Sequence, residues 1–339
     1  MGAILAGPFG AYTPQAAQAI AAQLAAQGFG TTGKIFYLDP ANGLDLNNGQ
    51  SPVAIPGQAG TGPVATLAAG YALLTSGNND VLVLIGNGAA TATARLTALF
   101  TWAKNAAHLI GIAAPTQFSL RARIAPTTTV TAFKTMFTVS GNGCYFANLE
   151  FFNGFATGTT AQICMKITGS RNVFNNCQIS GMGDTTSAAD AGSRSVVIST
   201  DENYFKHCVL GLDTISRGAL NATVELSSGA ARNVFEDCIF PALVSTAAAG
   251  LALLVAVAGK IDRMTIFRRC LFYNASTFSG GAAGTGVAQL PAAAGGALIF
   301  QDCTEYGYTN WGYDAASKAE IILSGPVPTD VSSIGIVNT

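Results

Sequence analysis

The chain is short of charge. Only 10% of its 339 residues are Asp, Glu, Lys or Arg, and 17 basic against 18 acidic residues leave a formal net charge of -1. Without a basic excess there is no electrostatic footprint for nucleic acid. Histidine is nearly absent: His108 and His207 stand alone, too far apart in sequence for ligand spacing, so structural roles are expected for both. There is no C-x-x-C pair, no Walker loop and no Ser-His-Asp pattern, and "SGNGC" reads as a turn because no helix follows it. The opening "MGAILAGPFGAYTP" lacks a basic n-region, so no secretory signal is expected, and Ala6 stands where N-myristoylation needs Ser or Thr. The sequons at Asn221 and Asn274 therefore carry little meaning. One uncharged run, Cys238 to Gly259, is long enough to cross a bilayer. It falls between two repeat units whose spacing does not jump across it, so no membrane partner is expected.

What is present is apolar and glycine-rich. Hydrophobic residues make up 49% of the chain and glycines number 39, enough for a large core and many tight turns. So little charge over so much apolar content suggests that part of the surface is covered in an assembly. The seven cysteines are an odd count and cannot all pair within one chain. Five of them share one repeated position, which points to buried thiols used as small hydrophobes.

That position belongs to an internal repeat. Phe146-Ala-Asn148-Leu149-Glu-Phe151 is followed by Phe174-Asn-Asn176-Cys177-Gln-Ile179, Phe205-Lys-His207-Cys208-Val-Leu210, Phe235-Glu-Asp237-Cys238-Ile-Phe240, Phe267-Arg-Arg269-Cys270-Leu-Phe272 and Phe300-Gln-Asp302-Cys303-Thr-Glu305. The Phe residues are 28, 31, 30, 32 and 33 residues apart. A period-2 strand cannot turn a residue and the one three later to the same face. A bend at the third position resolves this, and five of its six occupants are Asn, Asp or His, the non-glycine types that best tolerate left-handed backbone. Phe, Cys and the last apolar residue then all point inward. Upstream lie a second strand and a turn, with Asn172, Asn203 and Asn233 each two residues before the Phe. Units of about 30 residues built as strand, turn, strand, bend, strand and loop describe coils of a parallel β-helix. The spare length goes into loops at 181–195, 211–221, 241–250 and 278–296, which should project from one side.

Four segments follow. Residues 1–33 form an N-terminal arm in which Thr13 caps a helix over 14–27 that Gly28 ends; its Ala-rich side either shields the first coil or packs on a neighbouring subunit. Residues 34–140 open the solenoid, with a short helix in "PVATLAAGYALL" and strands in "VLVLIG", "ARLTALFTW", "AHLIGIA" and "SLRARIAP". Asp39, Asn42, Asp45, Asn47 and Asn48 could suggest calcium, but the EF-hand spacing and its terminal Glu are missing, so turn chemistry is expected. Residues 141–305 are the regular coils. Residues 306–339 form a C-terminal cap and tail, where Tyr306, Tyr308, Trp311 and Tyr313 either bind a glycan or partner or close the open end, and the cap is preferred because Glu305 replaces the inward apolar residue.

The segments "FYLDPANGLDLNNGQSP", "PVATLAAGYALL" and "NNDVLVLIG", with "FTWAKNAAHLIGI" and the "NVFNNCQI" coils, resemble pectate-lyase-like right-handed β-helix proteins of tailed bacteriophages over about residues 34 to 305. The resemblance implies an all-β, right-handed, single-stranded parallel β-helix with a short N-terminal α-helix and capping segments. Members include tailspikes, fibre domains, head decorations and cellular polysaccharide enzymes, so fold does not fix function. Enzymes of this kind cluster Asp with Arg or Lys on the outside of adjacent coils. Asp184, Asp190, Arg194, Asp213 and Arg217 lie in successive loops, and Glu236 adjoins Asp237, but no acidic residue recurs at one outward register. They read as solvated loop charges, and no catalytic, cofactor-binding or metal-ligating residue is nominated. The expectation is a non-enzymatic phage virion protein, a capsid-surface decoration or spike assembled in the host cytoplasm as a homotrimer on the major capsid protein. The alternative is a tailspike or tail-fibre protein that recognises, and in some members cleaves, host surface glycan.

Overall fold

The structure is a computed structural model that describes residues 33–324 apart from 87–89, 114–117, 119–121, 128–133, 155–160, 228, 247–248 and 256. The expected arm helix over 14–27 lies outside the described residues. Three parallel sheets run along one axis, and the chain visits each once per coil. Sheet I has ten strands and holds the Phe positions, as in Tyr145–Ala147, Val173–Asn175, Tyr204–Lys206, Val234–Glu236, Arg263–Arg268 and Gly296–Gln301. Sheet II has eight strands and follows the bend, as in Glu150–Phe152, Gln178–Ser180, Val209–Leu210, Ile239–Ala242, Leu271–Asn274 and Thr304–Tyr306. Sheet III has seven, including Ile163–Ile167, Arg194–Ile198, Ala222–Leu226 and Leu251–Leu254. This is a parallel β-solenoid.

Register follows the repeat. Phe146, Phe174, Phe205, Phe235, Phe267 and Phe300 pair in sequence along sheet I. Their rings stack at centroid distances of 4.9, 4.7, 4.6, 4.8 and 5.0 Å, the spacing of neighbouring strands. Each is fully buried, and each contributes ~1.5–3 kcal/mol of transfer free energy. All six bend residues are left-handed: Asn148, Asn176, His207, Asp237, Arg269 and Asp302 have φ between 49° and 55°. Asn176 also donates from Nδ2 to Asn148 Oδ1 at 3.0 Å, so the corner is bonded along the axis.

The cysteine column stands just inside that corner. The Cys177, Cys208, Cys238, Cys270 and Cys303 thiols each donate to the carbonyl of the Phe one coil earlier, at 3.4–3.5 Å. All seven cysteines are free and buried. Burial disfavours the thiolate and pushes Cys144 up to about 11, raising Cys164, Cys177 and Cys238 as well. Cysteine fits here because it fills a small apolar slot and still supplies a weak donor.

A second corner, between sheets III and I, was only half visible in the sequence. Asn172 Oδ1 accepts the Cys144 N–H at 2.8 Å, Asn203 Oδ1 accepts the Asn172 N–H at 3.0 Å, and Asn233 Oδ1 accepts the Asn203 N–H at 2.9 Å. The residue before each ladder Asn is Arg171, Glu202 or Arg232, and all three are left-handed. Their charges alternate along the axis and pair, Arg171 with Glu202 at 2.8 Å and Arg232 with Glu202 at 2.8 Å.

At the N-terminal end the Asp and Asn residues make turns and caps. Asp39 accepts the Ala41 and Asn42 N–H groups, and Asp45 accepts those of Ala65 and Thr66. Thr66 in turn caps the helix Leu67–Leu73. The uncharged run from Cys238 becomes the sheet II strand Ile239–Ala242 and the sheet III strand Leu251–Leu254. Among the described residues no helix is long and apolar enough to cross a membrane. At the far end Tyr308 and Trp311 join the core, whereas Tyr306 is turned out. Asn221 and Asn274 are fully buried, which closes both sequons to modification.

Candidate functional site

The loops at 181–193, 211–221 and 243–250 all leave sheet II and return to sheet III, so they do lie along one side. Their charges, however, are consumed locally. Asp184 caps a short helix through the Thr186 N–H, and Asp190 accepts the Gly192 N–H at 2.7 Å. Asp213 accepts the Tyr273 hydroxyl at 2.6 Å, two coils away. Arg217 is 2% exposed and donates to the Leu251 carbonyl and Thr223 Oγ1; burial lowers its pKa to about 10. Arg194 leaves the loop set altogether and pairs with Glu225 at 2.8 Å on the outside of sheet III. The five do not form a site.

The two histidines lie in different surroundings. His108 is buried in sheet I, accepts the Tyr145 N–H at Nδ1, and is pushed down to about 4 by burial. His207 stands at the exposed bend, 3.6 Å from Asp237.

A richer constellation surrounds that bend. Sheet I pairs Tyr204 with Val234 and Lys206 with Glu236, so side chains from three consecutive coils meet on its outer face. The Tyr204 hydroxyl donates to Glu236 Oε2 at 2.9 Å. Arg269 donates to Glu236 Oε1 at 2.7 Å and to both Asp237 oxygens at 2.8 and 3.0 Å. Arg268 donates to Gln301 at 2.9 Å, which extends the row by one coil. The Tyr204 and Arg269 bonds hold Glu236 below its usual range, and Arg269 does the same for Asp237. Burial and the bonded Glu236 carboxylate push the Tyr204 phenol up to about 12. At neutral pH the cluster therefore presents an ionised carboxylate beside a protonated phenol and a guanidinium. Tyr204, Glu236 and Arg269 thus bring all three together among the described residues of one outer face. Among the described residues no group of three His, Cys, Asp or Glu side chains is placed to hold a metal.

Sequence reasoning missed this cluster because its members are about one coil apart. Tyr204 and Glu236 are separated by 32 positions and Glu236 and Arg269 by 33. The signal in the sequence is the repeat itself: residues one coil apart are neighbours, so unlike residues at one register come together on one face.

No family model matches the chain, and no curated protein matches it. Among solved structures, pectate lyase Pel9A matches with a TM-score of 0.53 at 14% identity, over 80% of this chain and 63% of the lyase. The chain thus spans less than two thirds of that protein. A pectin methylesterase in complex with a hexasaccharide matches with a TM-score of 0.51 at 14% identity, over 74% of this chain and 77% of that one. Pectin methylesterase PemA from Erwinia chrysanthemi matches at 14% identity with a TM-score of 0.49. At these identities the likeness is one of fold. It also corrects the expectation of a protein without enzymatic activity, since the fold's neighbours are polysaccharide-modifying enzymes. That expectation rested on the lack of one recurring acidic register, whereas this solenoid gathers unlike residues from successive coils.

Proposed function

We propose that this chain is a polysaccharide-acting β-helix of the tailspike or tail-fibre kind. In this reading it is carried on a tailed-phage particle as a homotrimer and engages host surface glycan at the outer corner of its C-terminal coils. The observation behind the reading is the Tyr204, Glu236 and Arg269 cluster. Sugar hydroxyls need donors and acceptors together, and this corner offers both in one row. Glu236, kept ionised, is the group that takes a proton from a water adding to an ester carbonyl of the glycan; the bond from that carbonyl carbon to the alcohol oxygen then breaks, and Glu236 returns the proton to the departing alcohol. Arg269, which spends only Nε and Nη2 on Glu236 and Asp237, is the donor for the negative charge developing on the carbonyl oxygen, while the Tyr204 hydroxyl, already donated to Glu236, positions that carboxylate. The fold shared with pectate lyase and pectin methylesterase supports the same substrate class.

The test has two arms. Fluorescently labelled chain is applied to host cells before and after periodate oxidation of their surface glycan. Binding that disappears on oxidation is the expected result, and equal binding to both overturns glycan engagement. Gold-labelled antibody against the chain is applied to intact particles. Label at the tail tip agrees with the receptor-binding reading, and label over the head surface places the chain among capsid decorations instead.

A further inference from the structure

Outside sheet II, at its C-terminal end, two aromatic rings stand in solvent. Phe278 is 66% exposed and Tyr306 is 47% exposed. Their rings stack at 4.9 Å with an interplanar angle of 17°. Tyr273 lies beside them, 6.1 Å from Phe278. The platform is built, not incidental. Phe278 rides on the 3-10 turn Ala275–Ser279, which Asn274 caps through the Ser276 N–H and Gly280 closes at φ 76°. The Asn274 side chain is fully buried and also ties Ala282 and Gly307 to this turn. Tyr273 is fixed by its hydroxyl bond to Asp213, reaching across from a loop two coils earlier.

We propose that Phe278, Tyr306 and Tyr273, with the Asp213 carboxylate at their edge, form a stacking subsite for a neutral pyranose unit of a polysaccharide. The two rings lie parallel, one on the other, so each covers one face of its neighbour and keeps its outer face and edge for the C–H face of a sugar, and a carboxylate accepts the sugar's hydroxyls. Size argues against a protein occupant. Two part-exposed aromatic side chains present a few hundred Å² at most, below the ~800 Å² per partner of a stable protein interface. Charge selects the sugar class. Among the described residues no cation pairs with Asp213, so a uronate would meet uncompensated negative charge here. The subsite thus differs in preference from what the pectin-acting neighbours' names imply. The inference rests on the polysaccharide reading above but uses none of its reacting groups.

The experiment is calorimetric titration of the full chain with chitohexaose, maltohexaose and cellohexaose, and with the galacturonate hexamer, alongside sedimentation of the free protein. Wild type is expected to bind at least one neutral hexasaccharide and to bind the galacturonate hexamer more weakly. Phe278→Ala and Tyr306→Ala should each weaken that binding by about tenfold, while Phe278→Tyr restores it. Neutral-sugar binding that survives Phe278→Ala and Tyr306→Ala overturns the platform and leaves the polysaccharide reading standing. So does a Phe278→Ala effect on sedimenting mass without one on sugar affinity. Wild type that binds none of the four overturns the platform, and binding of galacturonate alone removes the neutral preference on which it rests.

Discussion

The side-chain oxygen of Asn203 accepts the backbone N–H of Asn172 at 3.0 Å, and both side chains are fully buried. This bond stands in for the ladder that breaks where the chain turns from sheet III to sheet I. Asn203→Ala removes the acceptor without overpacking the corner and orphans the Asn172 N–H, so a loss of about 1–3 kcal/mol is expected. Chemical denaturation gives the value. A variant as stable as wild type would mean that water already serves the corner.

The other corner gives a conformational prediction. His207 is exposed at 53% of its side chain and has φ 52°. A β-branched residue is strained there, so His207→Val should destabilise by about 1–2 kcal/mol. His207→Gly, which has no Cβ to strain, should stay within about 0.5 kcal/mol of wild type. Equal midpoints for the two variants would refute left-handed backbone at this position.

Glu305 gives a pH prediction. It replaces the inward apolar residue of the last coil, its Oε2 is buried without a hydrogen bond, and burial raises its carboxyl pKa. A folded-state pKa above the unfolded one means that the protonated group fits the fold. That stability is fully present below the ordinary glutamate value of about 4.3 and is lost as pH rises through the raised pKa. Glu305→Gln should match wild type in acid and become the more stable protein as pH rises toward neutral. Thermal melts from pH 3.5 to 7.5 check this, and a constant difference across the range would contradict it.

Much of this architecture could be read from residue types. Asn176 sits between Phe174 and Cys177, and its φ of 50° is what lets both enter one core. The matching corner at Arg171, Glu202 and Arg232 gave no such signal, because charged residues have no special preference for left-handed backbone; they are held there by the buried Asn that follows and by pairing along the axis. Arg194 and Asp213 looked like loop neighbours, yet one pairs with Glu225 and the other with Tyr273. Phe278 was hidden in a Gly/Ala-rich loop whose sequence does not tell which side of a turn its one large ring takes. The contacts on which the proposed function rests join residues a coil or more apart, and only the stacked register brings them together.

The Glu236 corner is proposed to act on polysaccharide. The direct measurement is product release from purified bacterial capsular and lipopolysaccharide glycans and from pectin, assayed both as new reducing ends and as ester hydrolysis. Wild type should release product from at least one of them, and Glu236→Gln should lower the rate by about 10²–10⁴-fold with Tm little changed. Because Tyr204 and Arg269 hold the Glu236 carboxyl low, the rate should persist in acid where an ordinary glutamate is already protonated and fall only as that carboxylate is protonated. Wild type inert on every substrate, or Glu236→Gln as active as wild type, would contradict the account.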